Sequence, residues 1–189
     1  MRVVGGAARG RRLRPPQGRF IRPTSDRIRE SIFDLLGPGP TGPRALDLFA
    51  GTGALGIEAL SRGSAQAVFV ERDRRALALI RENLQRCGFR ARAELLCRDA
   101  LRFLRAEPAE PFDLILLDPP YGQGLLEPSL RALGSRAWLR VSGCVLCESE
   151  AQLDPPAEAG CLALGRRKIY GRTQVLEYRQ PVDKRAALG

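Results

Sequence analysis

The sequence predicts an α/β fold built on a mostly parallel sheet. Three observations carry that expectation. First, Ala45-Leu46-Asp47-Leu48-Phe49 is a short apolar run that breaks into Ala50-Gly51-Thr52-Gly53 and resumes as the helix-forming stretch from Ala54 to Leu60. A strand, a glycine turn and a helix in that order let the backbone approach a ligand, and they point the helix's first N–H groups at its negative part. Second, the apolar run Ala67-Val68-Phe69-Val70 ends in an acid, Glu71, 20 residues after Gly51. An acid at that distance, at the tip of the second strand, accepts hydrogen bonds from ribose hydroxyls in nucleotide-binding α/β folds. Third, Leu114-Ile115-Leu116-Leu117 is a run of four apolar residues, as in a central parallel strand covered on both faces, and it stops at Asp118-Pro119-Pro120-Tyr121.

The remaining elements follow in order. Residues 2–14 alternate short apolar stretches with glycines and arginines, which suits a basic hairpin or extended arm over residues 1–22. Pro23, Thr24, Ser25 and Asp26 are helix-opening residues. Ile28, Ile32, Leu35 and Leu36 then recur on one helical face until Gly37-Pro38-Gly39-Pro40 ends it. This helix leads into a single sheet domain expected over 23–180. Asp73 suits an N-cap, Leu77, Ile80, Leu84 and Cys87 form a stripe, and Gly88 stops that helix. Glu94 to Cys97 reads as strand three. Asp99 after it suits either an N-cap for a helix over 100–105 or a contact to the amino group of a bound base, and both can hold. Residues 125–137 read as helix, with Trp138 as packing, and Val141–Glu148 as strand five. Asp154-Pro155-Pro156 repeats the earlier acid-proline-proline string without the preceding apolar strand or the Tyr, so it reads as a loop. Leu162–Tyr170 and Thr173–Arg179 flank Gly171-Arg172 as a terminal hairpin, and residues 181–189 read as a disordered tail.

Composition narrows the function classes. No run approaches the roughly 18 apolar residues that span a bilayer, and the N-terminus lacks a signal-peptide apolar segment, so a cytoplasmic protein without a membrane partner is expected. The chain has no histidine, which excludes an imidazole base or ligand. Cys144 and Cys147 form a lone C-x-x-C inside an apolar strand, with no second pair to complete a zinc site, so no metal is expected. The net charge of +10 is uneven: +7 over residues 1–44, −2 over 45–164 and +5 over 165–189. A near-neutral centre with basic ends suits contact with a polyanion. Arg9, Arg11, Arg12, Arg14 and Arg22 at one end, and Arg166, Arg167 and Lys168 at the other, are the phosphate-contact candidates.

Gly51-Thr52-Gly53-Ala54-Leu55-Gly56 satisfies G-x-G-x-x-G, which alone suits a dinucleotide. Asp47 inside the preceding strand and Asp118-Pro119-Pro120-Tyr121 after a later one point elsewhere. Two proline rings cannot extend a sheet, so they fix Asp118 and the Pro119 carbonyl as outward acceptors beside an aromatic face, a grip for a planar group carrying an NH2. Together these features resemble a class I S-adenosylmethionine methyltransferase acting on an exocyclic nitrogen of a base. Arg9-Gly10-Arg11, the stretch from Arg22 to Phe33, the stretch from Asp47 to Gly63 and Asp118-Pro119-Pro120-Tyr121 occur in the order of the RsmD family. The chain resembles that family from about residue 2 to residue 179.

The resemblance implies a Rossmann-like class I fold: a mostly parallel seven-stranded sheet with a C-terminal antiparallel hairpin and a small basic N-terminal arm. It implies methylation of a guanine N2 amine in 16S ribosomal RNA, with S-adenosylmethionine as cofactor. The partner is then RNA of the small ribosomal subunit or its assembly intermediate. The loop Phe49, Ala50, Gly51, Thr52 and Gly53 would hold the methionine portion, with Asp47 near its amino group and Thr24 near its carboxylate. Glu71, with Arg72 beside it, would bind ribose, and Asp99 and Ala100 would border the adenine. Asp118, Pro119, Pro120 and Tyr121 would form the target-base pocket. Two other readings stay open: the same motif acting on adenine N6 in DNA or another RNA, and an RNA-binding module that keeps the fold without activity.

Overall fold

Alternating apolar runs and helical stripes assemble, in the computed structural model, into one sheet with helices on both faces; the structure describes residues 1–16, 26–37 and 42–181. The parallel strands are β1 (Arg44–Leu48), β2 (Gln66–Glu71), β3 (Ala93–Cys97), β4 (Phe112–Leu117) and β5 (Leu139–Glu150). The strand order is β3-β2-β1-β4-β5-β8-β7-β6. The hairpin of β7 (Leu162–Tyr170) and β8 (Thr173–Arg179) has the expected bounds, and β8 joins β5 antiparallel. The seven strands implied by the resemblance are therefore present. An eighth, β6 (Glu158–Ala159), adds two residues against β7. It carries no apolar run that a sequence pattern could register. It is held where Cys161 N donates to Gly134 O at 2.8 Å, and a Cβ on Gly134 would lie 1.8 Å from the Ala159 carbonyl oxygen. The same approach ends the fifth helix at Gly134, short of the expected residue 137.

The helices are α1 (Asp26–Asp34), α2 (Ala54–Ser61), α3 (Arg74–Cys87), α4 (Ala100–Phe103) and α5 (Leu126–Gly134). α3 starts where expected: the Asp73 side chain accepts from Arg75 N at 2.7 Å. Gly88 closes it with φ 77°, a left-handed conformation that suits glycine. Strand periodicity divides the core. Ala45 of β1 faces one apolar cluster with Ile32, Leu55, Leu60, Ile80 and Leu84. Leu46 and Leu48 face the other, with Leu130, Leu133, Trp138 and Tyr178. Cys144 and Cys147, three residues apart on β5, fall into opposite clusters. Burial pushes the Cys144 thiol up to about 12. They are core thiols on two faces, not a pair.

The basic arm closes on itself and is also docked. Arg2 and Arg12 form an antiparallel bridge, while Val3, Ala8 and Leu13 enter the first cluster. Fully buried Glu58 of α2 accepts Val4 N at 2.9 Å and Arg62 Nε at 2.8 Å. Ser61 Oγ donates to Gly5 O and accepts from Ala8 N.

Gly56 sets the distance between α2 and the sheet. A Cβ there would lie 2.3 Å from the Phe69 ring and 3.0 Å from Asp47 Oδ2. Both neighbours are buried, so neither can move aside. Gly56→Ala is expected to cost about 1–3 kcal/mol and to lower the melting temperature by about 2–12 °C, read in a thermal melt.

Candidate active site

Parallel strands bring their carboxyl ends to one edge, and the chain direction of the crossovers reverses between β1 and β4, where α/β sheets open a crevice. Register aligns the residues that follow. Leu48 pairs with Leu117, and Leu117 with Cys147. The next residues, Phe49, Asp118 and Glu148, therefore stand side by side along the edge. A cleft of about 720 Å³ lies there, within the range of small-ligand and cofactor sites.

The glycine turn shapes one wall. Phe49, Gly51 and Gly53 all have positive φ, at 59°, 52° and 76°. Phe49 is the one non-glycine with that geometry among the described residues; it costs about 1–2 kcal/mol. Ala50 N donates to Val70 O, and Gly53 N to Ala50 O. Gly51 N donates to Glu71 Oε2 at 2.9 Å, and Asp73 N to Glu71 Oε1 at 2.8 Å. Glu71 is thus fixed by both strands' loops. A carboxylate has about four acceptor positions, so it retains capacity for two ligand hydroxyls. Phe49, Ala50, Gly51 and Thr52 line the cleft; Gly53 does not, and acts instead as the N-cap residue of α2.

Asp47 reaches the cleft from inside β1. It is buried, and Oδ2 accepts from Gly56 N at 2.8 Å. Burial pushes its carboxyl well above the ordinary value; the Gly56 N–H pulls the other way, and the charges of Asp118 and Glu71 push it further up. Asp47, Glu71 and Asp118 are three of the six acids that line the cleft, a lining that complements a cationic ligand.

Asp99 accepts from Arg102 N at 2.9 Å, capping α4, and also lines the cleft with Ala100. Arg72 is exposed on the rim. Thr24 and Arg22 lie outside the described residues. Asp118, Pro119, Pro120 and Tyr121 line the far end of the same cleft. The Tyr121 hydroxyl donates to Glu148 Oε1 at 3.0 Å and lies 3.0 Å from Thr173 Oγ1. A hydroxyl has one proton, so the Thr173 hydroxyl is then the donor to Tyr121. Burial first, with Glu148 and Asp118 adding, pushes the Tyr121 phenol up to about 12, against the pull of Thr173.

The family described as conserved hypothetical protein 95 matches residues 1–179. The chain is 36% identical over 180 residues to ribosomal RNA small subunit methyltransferase D of Escherichia coli (strain K12), covering 95% of this chain and 90% of that protein. The chain belongs to the RsmD family. It is also 38% identical over 182 residues to YlbH of Bacillus subtilis (strain 168), covering 95% of this chain and 99% of that one. The solved structure of Escherichia coli yhhF superposes with a TM-score of 0.84 at 34% identity, covering 95% of this chain and 97% of that one.

Membership makes the chain a methyltransferase, which needs a methyl donor. The cleft fits a cationic donor: its acids would supply counter-charge, and the left-handed turn would bring backbone close to it. Two residues of this RsmD-family site escape the sequence motifs. Glu148 bears the same mark as Glu71, an acid at the carboxyl end of an apolar parallel strand. Thr173 bears none, because it reaches the cleft from an antiparallel hairpin.

The basic ends fall into two groups. Arg9 and Arg12 are exposed on the arm, and Lys168 on β7. Arg11 Nη1 instead donates to Arg86 O, and Arg14 pairs with Glu82 at 2.7 Å. Arg166 pairs with Glu177 at 3.1 Å and donates to Leu35 O, and Arg167 lies 3.7 Å from Asp154. These four keep exposed surface but also tie elements together. Met1 Sδ lies 3.7 Å from Thr52 Oγ1, so the arm reaches the glycine turn.

Proposed function

We propose that this chain transfers a methyl group from S-adenosylmethionine to the N2 amine of a guanine in 16S ribosomal RNA, in the small subunit or an intermediate of its assembly. The observation that carries the reading is that Asp118-Pro119-Pro120-Tyr121 and the turn Phe49 to Thr52 line one cleft. The Escherichia coli relative, named for the small-subunit RNA, supplies the substrate class.

The cofactor supplies an activated methyl carbon on a sulfonium. Asp47 and the turn would hold its methionine portion, Glu71 its ribose, and Asp99 with Ala100 its adenine. The guanine amine's lone pair is delocalised into the ring. Asp118 and the Pro119 carbonyl accept the two N2–H bonds, which turns that lone pair out of conjugation and toward the methyl. Such positioning supplies about 7 kcal/mol or more in the best cases. The bound cofactor would supply the methyl carbon and keep the S–C bonding pair on its sulfur, and Asp118 or water would take the proton that the nitrogen gives up. Leaving the stack costs the base a few kcal/mol; stacking on Tyr121 offsets about 1–3 kcal/mol.

Nucleoside mass spectrometry of 16S RNA from cells with and without this protein tests the reading. N2-methylguanosine is expected to fall in the deletion. An unchanged N2-methylguanosine level with loss of N6-methyladenosine instead would replace guanine by adenine as target.

The arm carries a separate prediction. Arg9→Glu with Arg12→Glu is expected to weaken RNA binding and to reduce its log–log salt slope by about 2, at about one per phosphate contact. Cofactor affinity should hold. Filter binding across a salt series, beside calorimetry with S-adenosylmethionine, reads both. Arg11 and Arg14 are poorer test sites because they also dock the arm on α3.

A further inference from the structure

We propose that Glu148, assisted by Thr173, is a positioning residue for methyl transfer: it fixes the Tyr121 ring in the plane on which the target base stacks. The inference rests on the proposed function and adds to it a residue outside the Asp-Pro-Pro-Tyr motif.

The turn after β4 is rigid on one side only. Pro119 and Pro120 fix the backbone up to Tyr121, but no ring constrains the tyrosine's own χ angles. Gly122 and Gly124 follow at φ 72° and 62°, with nothing within 4 Å of where a Cβ would sit. The tyrosine needs an anchor from elsewhere, and β5 supplies it. Glu148 and Glu150 are two residues apart on a strand, hence on one face. Glu148 Oε1 accepts the Tyr121 hydroxyl at 3.0 Å, and Glu150 Oε1 accepts Gly122 N at 2.8 Å. Consecutive residues of the turn are thus gripped by alternate residues of one strand. From β8, the Thr173 hydroxyl meets the same phenol at 3.0 Å, and β8 is itself in register with β5, Thr173 opposite Glu150. The phenol therefore has two partners on two strands, which fixes the ring's tilt as well as its reach. Glu148 is buried and Tyr121 half-buried, so solvent competes weakly for this bond.

A double-mutant cycle tests this. Glu148→Ala and Tyr121→Phe are each expected to lower kcat/KM on 16S RNA by about 10- to 100-fold, the scale of a misplaced reacting group. The KM for S-adenosylmethionine should stay within about two-fold. Together they should lose no more than either alone, because each breaks the same contact. Glu148→Gln keeps an oxygen acceptor and is expected to restore activity to within about three-fold of the unmutated protein. Thermal melts monitor folding, and Thr173→Val, which keeps the side-chain volume, provides the same cycle if Glu148→Ala does not fold. Additive losses, or a glutamine variant as poor as the alanine one, would overturn the positioning role. An unmutated protein that leaves 16S RNA unmethylated would instead sink the proposed function, and is read separately.

Discussion

Asp118→Ala is expected to fold, to bind S-adenosylmethionine and to lose methyl transfer by about 10²- to 10⁴-fold, the usual scale for a positioned proton acceptor. The aspartate follows β4 rather than belonging to it, and the two proline rings behind it fix the backbone of the turn. Removing the carboxylate therefore leaves the backbone of the pocket in place. Cofactor binding should not weaken either. The charge of Asp118 is one of the causes that push the Asp47 carboxyl up, so its removal eases ionisation of Asp47, the group assigned to the cofactor's ammonium. On the proposed function, what is lost is the acceptor that rotates the amine and takes its proton. Single-turnover transfer to RNA, beside cofactor calorimetry on the same protein, separates the two. Transfer within a few-fold of the unmutated rate would overturn the role of Asp118.

The parts of this molecule that were legible in its sequence are those where one local rule decides. Asp73 and Gly88 bound α3 because a cap and a left-handed stop are local chemistry. The hairpin 162–179 was legible because both strands flank a glycine turn. Glu71, Asp99 and Asp118 stood out as acids closing apolar runs, and the parallel sheet gathers such ends at one edge. Glu148 carries the same mark, yet only the register of β4 against β5 shows it beside Asp118. Thr173 depends on β8 entering the sheet antiparallel next to β5, a tertiary fact with no local trace. The docking of the arm was hidden for a related reason. Glu58, an acid inside an apolar helix, is fully buried as the acceptor for Val4 N, a partner 54 residues away that no local pattern reveals. The glycines, arginines and short apolar stretches of residues 2–14 mark an arm, but Val3 and Leu13, which seat it, are too few and too far apart to show where it docks. Likewise Gly53 satisfies the glycine motif as a bend and not as a wall.

Asp47→Asn is expected to split stability from binding. Asparagine keeps an oxygen for the Gly56 N–H but cannot ionise. In the native protein the Asp47 carboxyl titrates well above its ordinary value of 3.8, because burial and neighbouring acids oppose its charge. Its contribution to stability is therefore intact below the ordinary carboxylate range and is lost as pH rises through the elevated value, since the unfolded chain gives up that proton more readily. Asparagine removes this loss. At neutral pH the variant without cofactor should be the more stable of the two and melt at the higher temperature. Cofactor binding should move in the opposite sense. On the proposed function the ammonium of S-adenosylmethionine pairs with the Asp47 carboxylate, so the unmutated protein should bind it more tightly as pH rises through that same range. A hydrogen bond to a charged partner is worth about 1.5–3 kcal/mol, so the variant should bind roughly 10- to 150-fold more weakly and lose that pH dependence. Melts and calorimetry across a pH series read both arms. A variant that melted lower, or that bound the cofactor as tightly as before, would show that Asp47 serves the packing of α2 on β1 rather than the ligand. The opposite signs on two instruments would mark a buried acid kept at the expense of the fold because a cation needs it.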